Sequence, residues 1–261
     1  MRFGLKMPFL LLSLCIASPL LGQIVNIEDK RTKRDTTGTF WQIDFGGNWT
    51  ENTRSVVTLS GALRLDLLRD KGPWLLLGNY NLVRADRDQV LNDGFGHLRY
   101  SRVLGGAWAW EAFTQLQYNR RLLIDLRALA GTGPRYLLRD RERLDLAIGI
   151  LLMYEYNELG EESDLQFRKD YRISTYLTAQ LKLTDDATLA STSYYQPLVD
   201  RFGESRRSIA MGQNNSLNVR LGQHLSLTTS FAITYDDFLA ALVENVPSTS
   251  FQWRNLLRIT F

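Results

Sequence analysis

From Gly38 to the last residue, apolar and polar side chains alternate with a period of two, the spacing of a β-strand with one face in each of two environments. "FWQIDFGGNW" sets Trp41, Ile43, Phe45 and Trp49 against Gln42 and Asp44. "TRSVVTLSGALRLDLL" sets Val57, Leu59, Leu63, Leu65 and Leu67 against Arg54, Thr58, Ser60, Arg64 and Asp66. "PWLLLGNYNLV" and "FGHLRYSRV" follow, the second with Leu98 and Tyr100 opposite His97, Arg99 and Ser101. "WAWEAFTQLQYN" opposes Trp108, Trp110 and Leu116 to Glu111, Gln115, Gln117 and Asn119; "LIDLRALAGTGPRY" opposes Ile124, Leu126 and Ala128 to Asp125, Arg127 and Arg135. "RLDLAIGILLMYEYN" opposes Leu146, Ile148, Ile150, Leu152 and Tyr154 to Asp145, Gly149 and Glu155. "QFRKDYRISTYLTAQLKL" opposes Phe167, Tyr171, Ile173 and Leu177 to Arg168, Asp170, Arg172 and Gln180. The ninth segment, "TLASTSYYQPL", is ambiguous in register. The tenth, "RRSIAMGQNNSLNVRL", is weak, because Gln213 and Asn215 share the parity of Met211 and Leu217. "LSLTTSFAITY" and the terminal "FQWRNLLRITF" bring the count to twelve.

The connections have a pattern of their own. Those after segments 2, 4, 6, 8 and 10 are short; those after segments 3 ("ADRDQVLND"), 7, 9 and 11 are longer, with those after segments 1 and 5 as short exceptions. Short turns on one side and longer loops on the other are the habit of up-and-down barrels in outer membranes. Alternation alone leaves the direction of the apolar face open, since a soluble periplasmic sandwich hides it and a membrane barrel shows it to lipid. Two features turn the reading toward lipid. All six tryptophans (Trp41, Trp49, Trp74, Trp108, Trp110, Trp253) lie on the apolar register, most of them near segment ends, where an interfacial aromatic girdle belongs. Many segments also exceed the usual 5–6 residues of soluble strands and reach the roughly 9–11 of a tilted span. The expected fold is therefore an all-β, transmembrane, up-and-down antiparallel barrel of about twelve strands occupying residues 38–261, closed so that lipid meets no open edge.

Composition alone reads as soluble, with 44% hydrophobic residues and a mean hydropathy of −0.20, because alternation averages out. The start of the chain reads as a secretory signal over residues 1–22: Arg2 and Lys6, an apolar run, then Gly22 before Gln23. Residues 23–37 are charged and aperiodic and read as a periplasmic lead-in. Without Arg2 and Lys6, the 31 basic residues fall to 29 against 28 acidic, which argues against a nucleic-acid partner. Cys15, the single cysteine, lies in the signal, so the mature chain is expected to carry no disulfide.

The stretch from Phe95 to Leu138 carries Glu111-x-Phe113-x-Gln115-x-Gln117 followed by Arg127-x-Leu129-x-Gly131-x-Gly133-x-Arg135-Tyr136. This pattern resembles the salt-induced outer-membrane protein family of unknown function (YdiY-like). The lead-in and first strand, "VNIEDKRTKRDTTGTFWQIDFGGNWTENT", fit that family's opening as well, and Pro134 is a departure from it. The resemblance implies an outer-membrane barrel and brings no substrate. The terminal Phe261 likewise resembles the aromatic assembly signal that the barrel assembly machinery reads.

The candidate chemistry is a polar cluster on the lumen face: Arg64, Asp66, His97, Arg99, Glu111, Gln115, Gln117, Asp125, Arg127, Arg135 and Asp145. A three-residue turn at "LGG" would set Arg99 opposite Glu111. Similar counting sets Arg135 near Asp145, and Gln115 and Gln117 beside Asp125 and Arg127. Such a cluster is either a salt-bridge network plugging a narrow barrel, in a structural or envelope-stress role, or the lining of a narrow channel for small polar or charged solutes. Only His97 and His224 are available for hydrolytic or metal chemistry, and they fall on separate elements, so no catalytic set, metal or cofactor is expected and a barrel hydrolase is the weaker alternative. In the last long loop, the apolar run Phe238–Val243 reads as a lid over the mouth or a lipid contact.

Overall fold

The computed structural model describes residues 37–139, 143–160, 166–200, 209–237 and 247–259. The signal, nearly all of the lead-in, the Phe238–Val243 run and Phe261 lie outside them. Twelve strands follow one another: β1 (Gly38–Glu51), β2 (Ser55–Leu68), β3 (Trp74–Ala85), β4 (Asp88–Gly105), β5 (Trp108–Asn119), β6 (Ile124–Arg139), β7 (Leu144–Leu159), β8 (Gln166–Lys182), β9 (Ala187–Asp200), β10 (Ile209–Arg220), β11 (Leu225–Asp236) and β12 (Thr249–Ile259). Each pairs antiparallel with its neighbour in sequence, giving one sheet in the order β1 to β12. Among the described residues no helix is long and apolar enough to cross a membrane. This is the up-and-down architecture that the alternation predicts. The closing ladder is the exception: among the described residues the ladders run from β1 to β12 without one joining β12 to β1.

The apolar register faces outward. All six tryptophans are exposed, at 41–72% of their full surface. At the end of the sheet that carries the chain termini, rings pair across strands on this outer face: Trp74 with Tyr100 (4.6 Å between centroids) and Trp108 with Tyr136 (4.8 Å). The Trp110 indole N–H donates to Thr132 Oγ1 at 2.7 Å, so its polar end is bonded while its ring is exposed. Outside the sheet Ile148, Ile150 and Leu152 are bare; inside it Ala147, Leu151, Met153, Glu155 and Asn157 are buried along the same strand.

The connections differ from expectation in one place. "ADRDQVLND" is strand for most of its length, because β3 and β4 join through Asp86 and Arg87 alone. Asp86 takes a left-handed backbone (φ 54°), which a tight hairpin needs and aspartate tolerates, and its carboxylate accepts the Ser55 backbone N–H at 2.9 Å.

Candidate functional site

The inner face of β4 to β8 is organised by two buried carboxylates, and the strand register explains how each is reached. The β4–β5 turn is Gly106–Ala107, with an irregularity between Val103 and Gly105, so Glu111 faces Ser101 and Arg99 faces Phe113. The direct Arg99–Glu111 opposition expected from a three-residue turn is therefore offset by two residues. The offset preserves parity, and the long arginine side chain still reaches diagonally: Arg99 Nη1 lies 3.2 Å from Glu111 Oε2. Arg135 does not meet Asp145. Because β6 runs on to Arg139, it is Arg139 that pairs with Asp145, while Arg135 pairs with Gly149 and turns to Glu111, Nη1 to Oε1 at 3.3 Å. Ser101 Oγ donates to Glu111 Oε1 at 3.1 Å and the Tyr176 hydroxyl donates to Oε2 at 2.7 Å. Glu111 retains no solvent-exposed surface.

Tyr176 stands three strands away from Glu111, and glycines make that reach possible. On the intervening strands Gly131, Gly133 and Gly149 form a trough on the inner face. A Cβ at Gly149 would lie 2.3 Å from the Tyr176 ring, one at Gly131 2.4 Å from the Phe113 ring, and one at Gly133 2.1 Å from the Ile150 carbonyl oxygen. The rings of Phe113 and Tyr176 lie over this trough, and the Arg99 guanidinium sits 5.4 Å and 5.9 Å from their centroids.

The second carboxylate is Glu155. Its Oε1 accepts from Arg127 Nη2 at 2.7 Å and from Asn157 Nδ2 at 3.0 Å; its Oε2 accepts from Arg172 Nε at 2.6 Å. Arg172 also donates to the Gln196 carbonyl at 3.0 Å, which links this group to β9. Arg168 and Asp170 form a further ion pair on β8. Arg127 and Arg172 are each 1% exposed. A carboxylate taken this far from water loses a large hydration energy, and only several charged or hydrogen-bonding partners at once offset it. Both glutamates have them.

Between the two lies a relay of neutral groups. Arg99 Nε donates to His97 Nε2 (3.3 Å), His97 Nδ1 lies 3.0 Å from Gln115 Oε1, and Gln115 Nε2 donates to Gln117 Oε1 (2.8 Å). The guanidinium can only donate, so His97 accepts at Nε2 and carries its proton on Nδ1. With both ring nitrogens engaged in this way, His97 is a structural link. His224 lies in the β10–β11 turn, and among the described residues no three His, Cys, Asp or Glu side chains converge as a metal site would require.

Of the predicted cluster, the structure brings together His97, Arg99, Glu111, Gln115, Gln117, Arg127 and Arg135. Arg64 and Asp66 form their own pair on β2 (2.6 Å). Asp145 keeps the inward parity but stands at the end of β7, opposite Arg139 and Gln180. Asp125 does not belong. It is the extra residue of an irregularity between Ile124 and Leu126, which resets the alternation: Ile124 turns in and is buried, and Asp125 is exposed. For the same reason Gln115 neighbours Leu129 and only Gln117 meets its expected partner, Arg127. Glu155, Arg172 and Tyr176 complete the network and were not singled out. The parity of β7 and β8 already put Glu155 and Arg172 on the inner face; a tyrosine two pleat periods along from Arg172, and so on the inward and not the apolar register, was the signal for Tyr176.

No curated protein sequence matches the chain. Among solved structures, the NanC porin matches with a TM-score of 0.50 at 13% identity, over 84% of this chain and 99% of that one. The KdgM porin gives a TM-score of 0.43 at 12% identity (85% and 98%), and the translocator domain of the autotransporter NalP from Neisseria meningitidis 0.44 at 9% (87% and 90%). At such identity the NanC likeness speaks for the fold, that of a porin-type barrel. The Glu111 and Arg127–Arg135 motifs, which line one inner surface, fall within residues 41–244, and over that span the chain matches, and so belongs to, the family described as "Protein of unknown function, DUF481".

Proposed function

We propose that this protein is a non-enzymatic outer-membrane barrel with a structural or envelope-stress role. Its outward tryptophans and aliphatic side chains meet the outer-membrane lipid, both termini lie on the periplasmic side, and Phe261 is the signal by which the barrel assembly machinery inserts it. The observation that carries the structural reading is Glu111, which holds two arginines and a tyrosine with no surface left for water. A conducting lumen keeps its charges hydrated and exchangeable; these charges are consumed in tying β4, β5, β6 and β8 together.

A second reading has an observation of its own. On the inward register of β1, β10 and β12, Gln42, Asp44, Asn48, Asn218 and Arg254 are exposed. A narrow passage for small polar or charged solutes would run along this wall. Reconstitution of the mature protein in planar bilayers separates the two. Insertion without conductance steps is the expected result. Discrete steps whose size changes in Asp44→Ala or Arg254→Ala would overturn the structural reading in favour of the channel. Membrane placement is checked separately, by heat-modifiable gel mobility and by spin labels at Leu146 and Leu177, which should report lipid.

A further inference from the structure

The outward face is not uniformly apolar. Across β9 to β12 it carries Ser191, Ser193, Gln213, Asn215, Thr229 and Asn255, all near the middle of their strands and all in the register of Tyr195, Met211, Phe231 and Trp253. These are the residues that make the tenth segment look weak and the ninth ambiguous in the sequence. They are neighbours in space: Ser193 pairs with Gln213, Ser191 with Asn215, and Thr229 with Asn255. Gln213 Nε2 donates to Ser191 Oγ (2.9 Å) and to Asn215 Oδ1 (3.0 Å), its Oε1 accepts from Ser193, and Thr229 Oγ1 donates to Asn255 Oδ1 (3.0 Å). Among the described residues the amide nitrogens of Asn215 and Asn255 have no acceptor. By contrast, the outward positions at the middle of β7 are Ile148, Ile150 and Leu152.

Taking the membrane placement proposed above as given, we infer that this patch is the interface through which two copies of the chain associate within the outer membrane. Hydrocarbon offers no hydrogen-bond partner, so an amide at mid-depth is costly unless another protein surface covers it. A second copy is the occupant that fits best. Amide and hydroxyl groups each donate and accept, so the patch is complementary to itself under a two-fold rotation, as an isologous interface requires. It bears no formal charge that would select a partner of opposite sign or a lipid headgroup. Phe231 and Trp253, beside it on the same face, supply apolar area around the polar centre.

The test uses the full mature chain refolded into phosphatidylcholine vesicles. Under mild oxidation Ser193→Cys should give a crosslinked dimer, and Leu152→Cys, on the far wall, should not. In density-matched detergent, ultracentrifugation should find a dimer whose dissociation constant rises about tenfold in Gln213→Leu/Asn215→Leu, a change that adds only apolar surface to the lipid side and leaves the barrel folded. A protein that inserts, shows heat-modifiable mobility and remains monomeric overturns the interface alone, as does equal crosslinking at both cysteines. A protein that fails to insert overturns the membrane reading and the interface with it.

Discussion

The wall of β5 to β8 and the wall of β9 to β12 are built from the same alternation and come out opposite in character. On the first, the outward positions at the middle of β7 are aliphatic, rings gather toward the strand ends, and among the described residues no amide side chain lies on the outward register at mid-strand. Its inner face is filled by ion pairs, rings and a glycine trough. On the second, the outer face carries a polar centre, and the inner face holds small polar residues such as Asn214, Ser216, Thr228 and Ser230. The difference teaches that inner filling and the polarity of the outer face are set strand by strand, not by the barrel as a whole. One wall closes on itself by pairing its charges inside; the other leaves hydrogen-bonding capacity on both of its faces.

The contrast is broken most easily at Glu111. Glu111→Ala leaves Arg99 and Arg135 facing each other without their shared carboxylate and should cost about 3–5 kcal/mol in urea unfolding from vesicles. The matched change Asn218→Ala, at an exposed inward position of β10, should fall within about 0.5 kcal/mol of the parent. Equal losses would mean that the first wall is no more committed than the second. The trough comes next. Gly133→Ala drives a Cβ against the Ile150 carbonyl and should destabilise by about 1–3 kcal/mol, whereas Gly96→Ala meets no atom within 4 Å and should be neutral by the same assay. The outer face offers an effect of similar size to the trough and, in Asn215→Leu, the smallest of the series, the near-neutral controls aside. Leu152→Asn should lower the stability of the monomeric barrel by about 1–3 kcal/mol, and Asn215→Leu should raise it by less. A loss in both would show that Asn215 contributes to the fold of the single chain.

Most of this architecture was legible because alternation is a backbone property. From Arg143 to Asn157 every second residue predicts its face, and the structure places Ile150 outside and Glu155 inside accordingly. What could not be read was anything that depends on where two strands start counting. One extra residue at Asp125 takes its carboxylate out of the inward ladder and leaves it exposed near the strand end. The register of β6 gives Asp145 to Arg139, four residues beyond Arg135, and leaves Arg135 for Glu111. The longest-range bond of the site, Tyr176 to Glu111, crosses two strands whose part is to carry no side chain. Glycine at those positions reads locally as a weak strand, and its purpose appears only when a ring from elsewhere lies over it.

Because each strand pairs only with those next to it in sequence, no segment has to thread past another to reach its place. The sheet can grow one hairpin at a time, each new strand templated by the edge of the last. The chain is thereby suited to being fed progressively into a bilayer, with Glu111 able to gather Arg99 from the first hairpin it belongs to and waiting for β8 before Tyr176 locks the stack.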